Sequence, residues 1–157
     1  MTRVASTVLV GLNIKARDMS KPFHCVIHAR PKAISEGESV DIDGVSVATL
    51  SCVDLLRTFE RSFEEVAEAF EKLPRMFFEP DGSFVWVVER EQRCQLDGSL
   101  IDNGSKMLNV ELKGTCDGEV FDQFLGTLGW PELQVIFQLV SSGIYVDEVE
   151  FRRAFIQ

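Results

Sequence analysis

Apolar and polar positions along this chain follow two different periods. Over Thr7 to Ile14, Val8, Val10 and Leu12 alternate with smaller or polar neighbours, Leu9 excepted, which predicts a strand. Phe23, Cys25, Ile27 and Ala29 alternate with His24, Val26 and His28, and Pro22 and Pro31 bracket the run, which points to a short edge strand. From about Cys52 to Leu73 the period lengthens. Val53, Leu56, Phe59, Phe63, Val66, Phe70 and Leu73 recur every three or four positions, while Glu60, Glu64, Glu65, Glu68 and Glu71 fall mainly elsewhere. This predicts one long amphipathic helix, with Ser51 as its cap, Asp54 completing a capping box, and Pro74 as its stop.

Beyond Pro74 the alternation returns. Met76–Glu79 leads into Asp81-Gly82, and Phe84–Glu89 leads out. The second run is apolar on both faces and predicts a central strand covered on each side. Lys106 to Lys113 directs Leu108, Val110 and Leu112 inward, with Asn109 and Glu111 outward. Two shorter helices follow. One spans about Glu119 to Leu128, stopped by Gly129 and Pro131, and a last one is capped by Asp147 and holds Phe151, Ala154 and Phe155. Gln134 to Val140 and Ile144 to Val146 read as strands between them.

The punctuation is Asx-Gly: Asp43-Gly44, Asp81-Gly82, Asp97-Gly98, Asn103-Gly104 and Asp117-Gly118. Tight hairpins need positive φ at their central residues, which Gly adopts freely and Asn or Asp more readily than most. The first four dipeptides therefore predict turns of an antiparallel sheet. Strands and helices are segregated rather than alternating β-α-β-α, so the expected fold class is α+β: a mainly antiparallel sheet built from hairpins, packed with one long and two shorter helices. With no linker, repeat or low-complexity segment, residues 1–157 read as a single domain.

Composition adds a core and an uneven charge. Hydrophobic residues make up 45% of the chain, enough for a substantial core, and 12 Phe against 2 Trp and 1 Tyr suggest core filling by bulk without polar handles. The net charge is −9, which argues against phosphate-backbone binding and so against a nucleic-acid partner. Residues 1–32 carry six basic residues against one acid, whereas the remainder carries ten against 24. That asymmetry makes Lys15, Arg17 and Lys21 candidate binding residues for an acidic surface on a second copy or a protein partner.

Most familiar chemistries are missing. His24 and His28 are the only histidines, and on a strand they stand about 13 Å apart, too far to share a metal. Cys25, Cys52, Cys94 and Cys116 form no C-x-x-C pair, so free thiols in a cytoplasmic protein are expected. No stretch approaches the length of a membrane span, and the Val8–Leu12 run lacks the flanks of a signal peptide. No phosphate-binding glycine loop, nucleophile elbow or calcium loop is present, so no cofactor, metal or catalytic residue is assigned. Phe77, Phe78 and Trp86 lack the basic groove that base stacking would need. Carboxylates are abundant, with Glu79, Asp81, Glu89, Asp97, Asp102 and Glu111 near the hairpins. Trp130, set in a Gly-Trp-Pro-Glu-Leu loop, is the best anchor for a partner, or else a lid over Phe124 and Phe137. The expected function is a non-catalytic binding or regulatory domain; the alternative is a small acid/base enzyme with a carboxylate site across the sheet.

Overall fold

The computed structural model describes residues 19–52 and 57–157. The strand expected over Thr7–Ile14 lies outside these, as do Lys15 and Arg17. Nine strands form one sheet in the order β2-β3-β9-β8-β1-β7-β6-β5-β4, every pairing antiparallel. In chain order they are β1 (Phe23–Ala29), β2 (Ile34–Ile42), β3 (Val45–Cys52), β4 (Met76–Phe78), β5 (Ser83–Val88), β6 (Cys94–Asp102), β7 (Met107–Thr115), β8 (Val135–Leu139) and β9 (Tyr145–Asp147). Three helices complete the α+β fold: α1 (Phe63–Glu71), α2 (Gly118–Thr127) and α3 (Glu148–Phe155).

The three helices pack on the same face of the sheet. Phe70 of α1 meets Phe84 with ring centroids 5.0 Å apart, Phe124 of α2 meets Phe84 at 5.6 Å, and Phe151 of α3 stacks on Phe137 at 4.2 Å. Phe23, Phe84 and Phe137 share that face by register with Cys25, Ile27, Leu96, Leu112 and Val110, and all are buried. The phenylalanine-rich composition is thus the sheet–helix interface itself. Among the described residues no helix packs on the opposite face.

Three hairpins form as their dipeptides predict, one of them at Asp81-Gly82 between β4 and β5, where Gly82 has φ of 99°. Asp43 and Gly44 join β2 to β3 with φ of 49° and 86°, the left-handed pair that a two-residue primed turn requires. Asn103-Gly104 joins β6 to β7, with the Asn103 side chain accepting the N–H groups of Ser105 and Lys106. Asp147 caps α3 and Asp117 caps α2, each accepting an N–H three residues on.

Several expectations are corrected. Asp97-Gly98 is no turn: it lies inside β6, opposite Val85 and Phe84 on one side and Lys113 and Leu112 on the other. Glycine is required there for space. A Cβ on Gly98 would lie 1.9 Å from the Glu111 carbonyl oxygen and 2.8 Å from the Phe84 ring. β1 is central, not an edge, with β7 and β8 on its two sides. Pro22 and Pro31 fall outside its bounds, so every residue within it can serve the ladders. β5 is the penultimate strand rather than a central one, and Val85 on its helix-free side is 37% exposed.

The first helix is shorter than its apolar period. Ser51 and Cys52 belong to β3, and α1 begins after Ser62, whose side chain and Glu65 form a reciprocal capping box. Glu65 reaches back to the Ser62 N–H, satisfying two helix-end donors at once. Phe59, in step with the helical pattern, is buried ahead of the helix, its N–H bonded to the Met107 carbonyl.

The sheet edges differ. β2 exposes Glu36, Glu38 and Asp41 and breaks register with β3 between Glu36 and Ser39. Charge and irregularity of this kind blunt an edge against pairing with other chains. β4 has only three residues.

Candidate functional site

The helix-free face carries two unlike regions. At the β4–β5 end, Phe77 and Val85 sit directly opposite each other on neighbouring strands, and Phe77 is 67% exposed. Ile101 on β6 adds a further exposed apolar side chain on this face. Acids surround these positions: Glu79 and Asp81 in the β4–β5 turn, Glu89 after β5, and Asp97 beside Val85. The Ser83 N–H and hydroxyl both bond Asp81, holding its carboxyl below the usual aspartate range. Glu89 contacts Arg75 at 3.6 Å.

The second region is a cleft of about 630 Å³ where the start of β1, the end of β7 and the start of β6 meet. Its lining includes Phe23, His24, Arg93, Gln95, Asp97 and Lys113. Asp97 and Lys113 are direct cross-strand partners, as are Lys113 and His24. Asp97 instead accepts from Gln95 Nε2 at 3.1 Å, and His24 Nε2 lies 2.9 Å from Glu111 Oε1. Asp97 and Glu111 hold diagonal positions on β6 and β7, a relation that typically spaces side chains by about 7–8 Å. Each has its own partner, and they share none.

Trp130 is half-buried and packs against the core. Its indole N–H donates to Glu148, and the Arg152 guanidinium lies 5.2 Å from its ring centroid, itself held by Glu148 at 2.8 Å and Asp122 at 2.7 Å. Beside it lies a notch of about 330 Å³ that includes Arg30, Pro131, Asp147 and Val149, the last 63% exposed. Lys21 is not part of this notch. Its backbone N–H bonds the Phe155 carbonyl at the far end of α3 from Glu148, so Trp130 and Lys21 do not form one site.

The two histidines part company. His24 is exposed, but His28 is buried and bonded to Gln138, and burial lowers its pKa despite that hydrogen bond. Cys25, Cys94 and Cys116 are free and buried, and burial raises all three thiols. Among the described residues no group of His, Cys, Asp and Glu is arranged to hold a metal, and no helix is long and apolar enough to cross a membrane.

Phe77, Arg93 and Lys113 were not distinguishable in the sequence as site residues. Phe77 sits in an apolar run that reads as core, and the two cations are brought together only by strand pairing. No family model, curated protein or solved structure matches the chain.

Proposed function

We propose that this protein is a non-catalytic binding domain acting through protein–protein contact, with the Phe77–Val85 side of its helix-free sheet face as the contact surface. The observation that carries the reading is Phe77 at 67% exposure beside Val85, with Asp97 across from Val85 and Glu79 and Asp81 in the adjoining turn. Large aromatics are the usual anchors of interfaces, and Phe77 stands exposed next to an apolar strand neighbour.

The acidic surround selects a basic occupant that also carries apolar side chains. The chain contains such a segment, in which Arg3, Lys15, Arg17 and Lys21 accompany Val8, Val10 and Leu12. The partner is therefore a second copy, its basic amino-terminal segment meeting the acid-rimmed face. Exposed ion pairs contribute only about 0–1 kcal/mol each, so charge steers encounter while Phe77 supplies affinity. The acid/base alternative would need two carboxylates acting on one substrate, and Asp97 and Glu111 are engaged by Gln95 and His24 instead.

Light scattering across a salt series tests this on the wild type, on a Lys15→Glu/Arg17→Glu/Lys21→Glu variant and on Phe77→Asp. Association is expected at low salt, fading as the screening length falls from about 10 Å at 0.1 M to about 3 Å at 1 M. Both variants should be monomeric where the wild type associates. A monomeric wild type throughout, or association unchanged by Phe77→Asp, would refute the reading. Val149→Asp in the same series checks the notch beside Trp130: loss of association there, with Phe77→Asp silent, would move the contact to Trp130.

A further inference from the structure

The geometry points to the cleft between the ends of β1, β7 and β6, which adjoins the Phe77–Val85 surface through Asp97, as a binding site for a small organic oxyanion, a carboxylate or phosphate that also carries a hydrogen-bond donor. The argument begins with charge. In a chain of net charge −9, this cleft gathers Arg93 and Lys113 against one lining acid, Asp97.

The pairing pattern then singles out Lys113. An acid directly across a sheet face from a lysine can pair with it and stabilise the sheet. Lys113 has Asp97 directly across on β6, and Glu111, the partner of His24, lies two residues back on its own strand. Neither reaches it: Asp97 accepts from Gln95, Glu111 is bonded to His24, and no acid lies within 4 Å of the Lys113 ammonium among the described residues. Arg93 is nearly as free, its one ionic contact among the described residues being Glu89 at 3.9 Å, and its side chain is 61% exposed. Two cations thus stand in one concavity with their hydrogen-bond capacity largely unspent.

Size and shape narrow the ligand. A volume of about 630 Å³ falls within the range of about 300–1,000 Å³ typical of small-molecule sites. An oxyanion held by Lys113 or Arg93 would accept charge-assisted hydrogen bonds, the strong kind. Asp97 keeps lone pairs beyond the one that Gln95 occupies, so a hydroxyl or ammonium next to the oxyanion would be accepted there. Pro22 and Phe23 supply the apolar wall.

The test is a titration of the whole chain followed by ¹⁵N–¹H spectra, with inorganic phosphate in one series and malate in another, each referenced to sodium chloride at equal ionic strength. Saturable displacement of the Gln95, Gly114 and Thr115 amides is expected with at least one anion, and the lower midpoint identifies the oxyanion. Lys113→Gln/Arg93→Gln should raise the midpoint by roughly tenfold or more, since hydrogen bonds to charged groups are individually strong. Lys106→Gln, at the opposite end of β7, should leave it unchanged. If the double variant loses its dispersed spectrum, the two single variants carry the same comparison. Absence of saturation with both anions, an equal response to chloride, or a midpoint indifferent to Lys113 and Arg93 would overturn the assignment.

Discussion

Replacing Gly98 by Ala tests the sheet architecture at the point where it departs most from expectation. The added Cβ would lie 1.9 Å from the Glu111 carbonyl oxygen of the neighbouring strand. Close C···O contacts settle near 3.3 Å, so β6 and β7 would have to part by about 1.4 Å locally. Ladder hydrogen bonds weaken well before such a separation, so the two nearest would be lost at about 1 kcal/mol each. Overpacking against the Phe84 ring adds about 1–3 kcal/mol, for an expected loss of about 3–5 kcal/mol. At about 2–4 °C per kcal/mol for a chain of this size, the melting temperature should fall by about 6–20 °C. Urea unfolding followed by Trp fluorescence measures it, with Gly104→Ala as the comparison. Gly104 has φ of 95° and nothing within 4 Å of an added Cβ, so its cost is conformational only, about 1 kcal/mol. Adding Phe84→Leu to Gly98→Ala should recover at most the ring's share of the loss, because the nearer obstruction, the Glu111 oxygen, belongs to the backbone. A Gly98→Ala loss no greater than that of Gly104→Ala would refute the placement of this dipeptide in mid-strand.

Two further outcomes follow from burial. Phe137, fully buried and stacked on Phe151, should cost about 3–5 kcal/mol on replacement by Ala, whereas half-buried Phe63 should cost clearly less, about 1–2 kcal/mol; chemical denaturation of both variants checks the order, and equal losses would mean the core is misplaced. Burial lowers the His28 pKa below its ordinary 6.5, so the unfolded chain takes up a proton that the folded one resists. Stability from this group is complete above about pH 6.5 and declines below it by up to about 1.4 kcal/mol per pH unit. His28→Gln should flatten that decline below about pH 6.5, and identical slopes in wild type and variant would contradict it.

What was legible in the sequence was local. Asp43-Gly44 and Asn103-Gly104 turn because their own backbones require left-handed φ, and Asp147 caps because its own side chain reaches three residues on. Asp97-Gly98 carries the same letters for an unrelated reason: its glycine makes room for a strand and a ring far off in sequence. The start of α1 was misplaced because Phe59 keeps the helical period while packing from a non-helical segment. The cleft escaped entirely, since residues near 23, 95 and 114 become neighbours only through the register of β1, β7 and β6. Trp130, the aromatic that the loop context singled out, is tied down by Glu148 and Arg152, whereas Phe77, hidden in an apolar run, is the exposed one.

The central position of β1 has a consequence for how the chain comes together during synthesis. Its neighbours are Asn109–Gly114 on one side and Val135–Leu139 on the other, so the earliest described strand waits for the last third of the chain before either ladder can close. Until then Cys25, Ile27 and Ala29 form an apolar strip without a sheet, a state prone to mispairing. The β2–β3 hairpin closes on its own and, among the described residues, joins the rest of the sheet only through β9, at the Leu50–Tyr145 pairing. The short strands β8 and β9 therefore act as the keystone: the β1–β7–β6–β5–β4 block and the β2–β3 hairpin remain separate pieces until the carboxy-terminal strands arrive between them. Such long-range closure makes for slow folding, and a ribosome-bound chain ending before Val135 should behave as fragments rather than as a smaller version of the finished sheet.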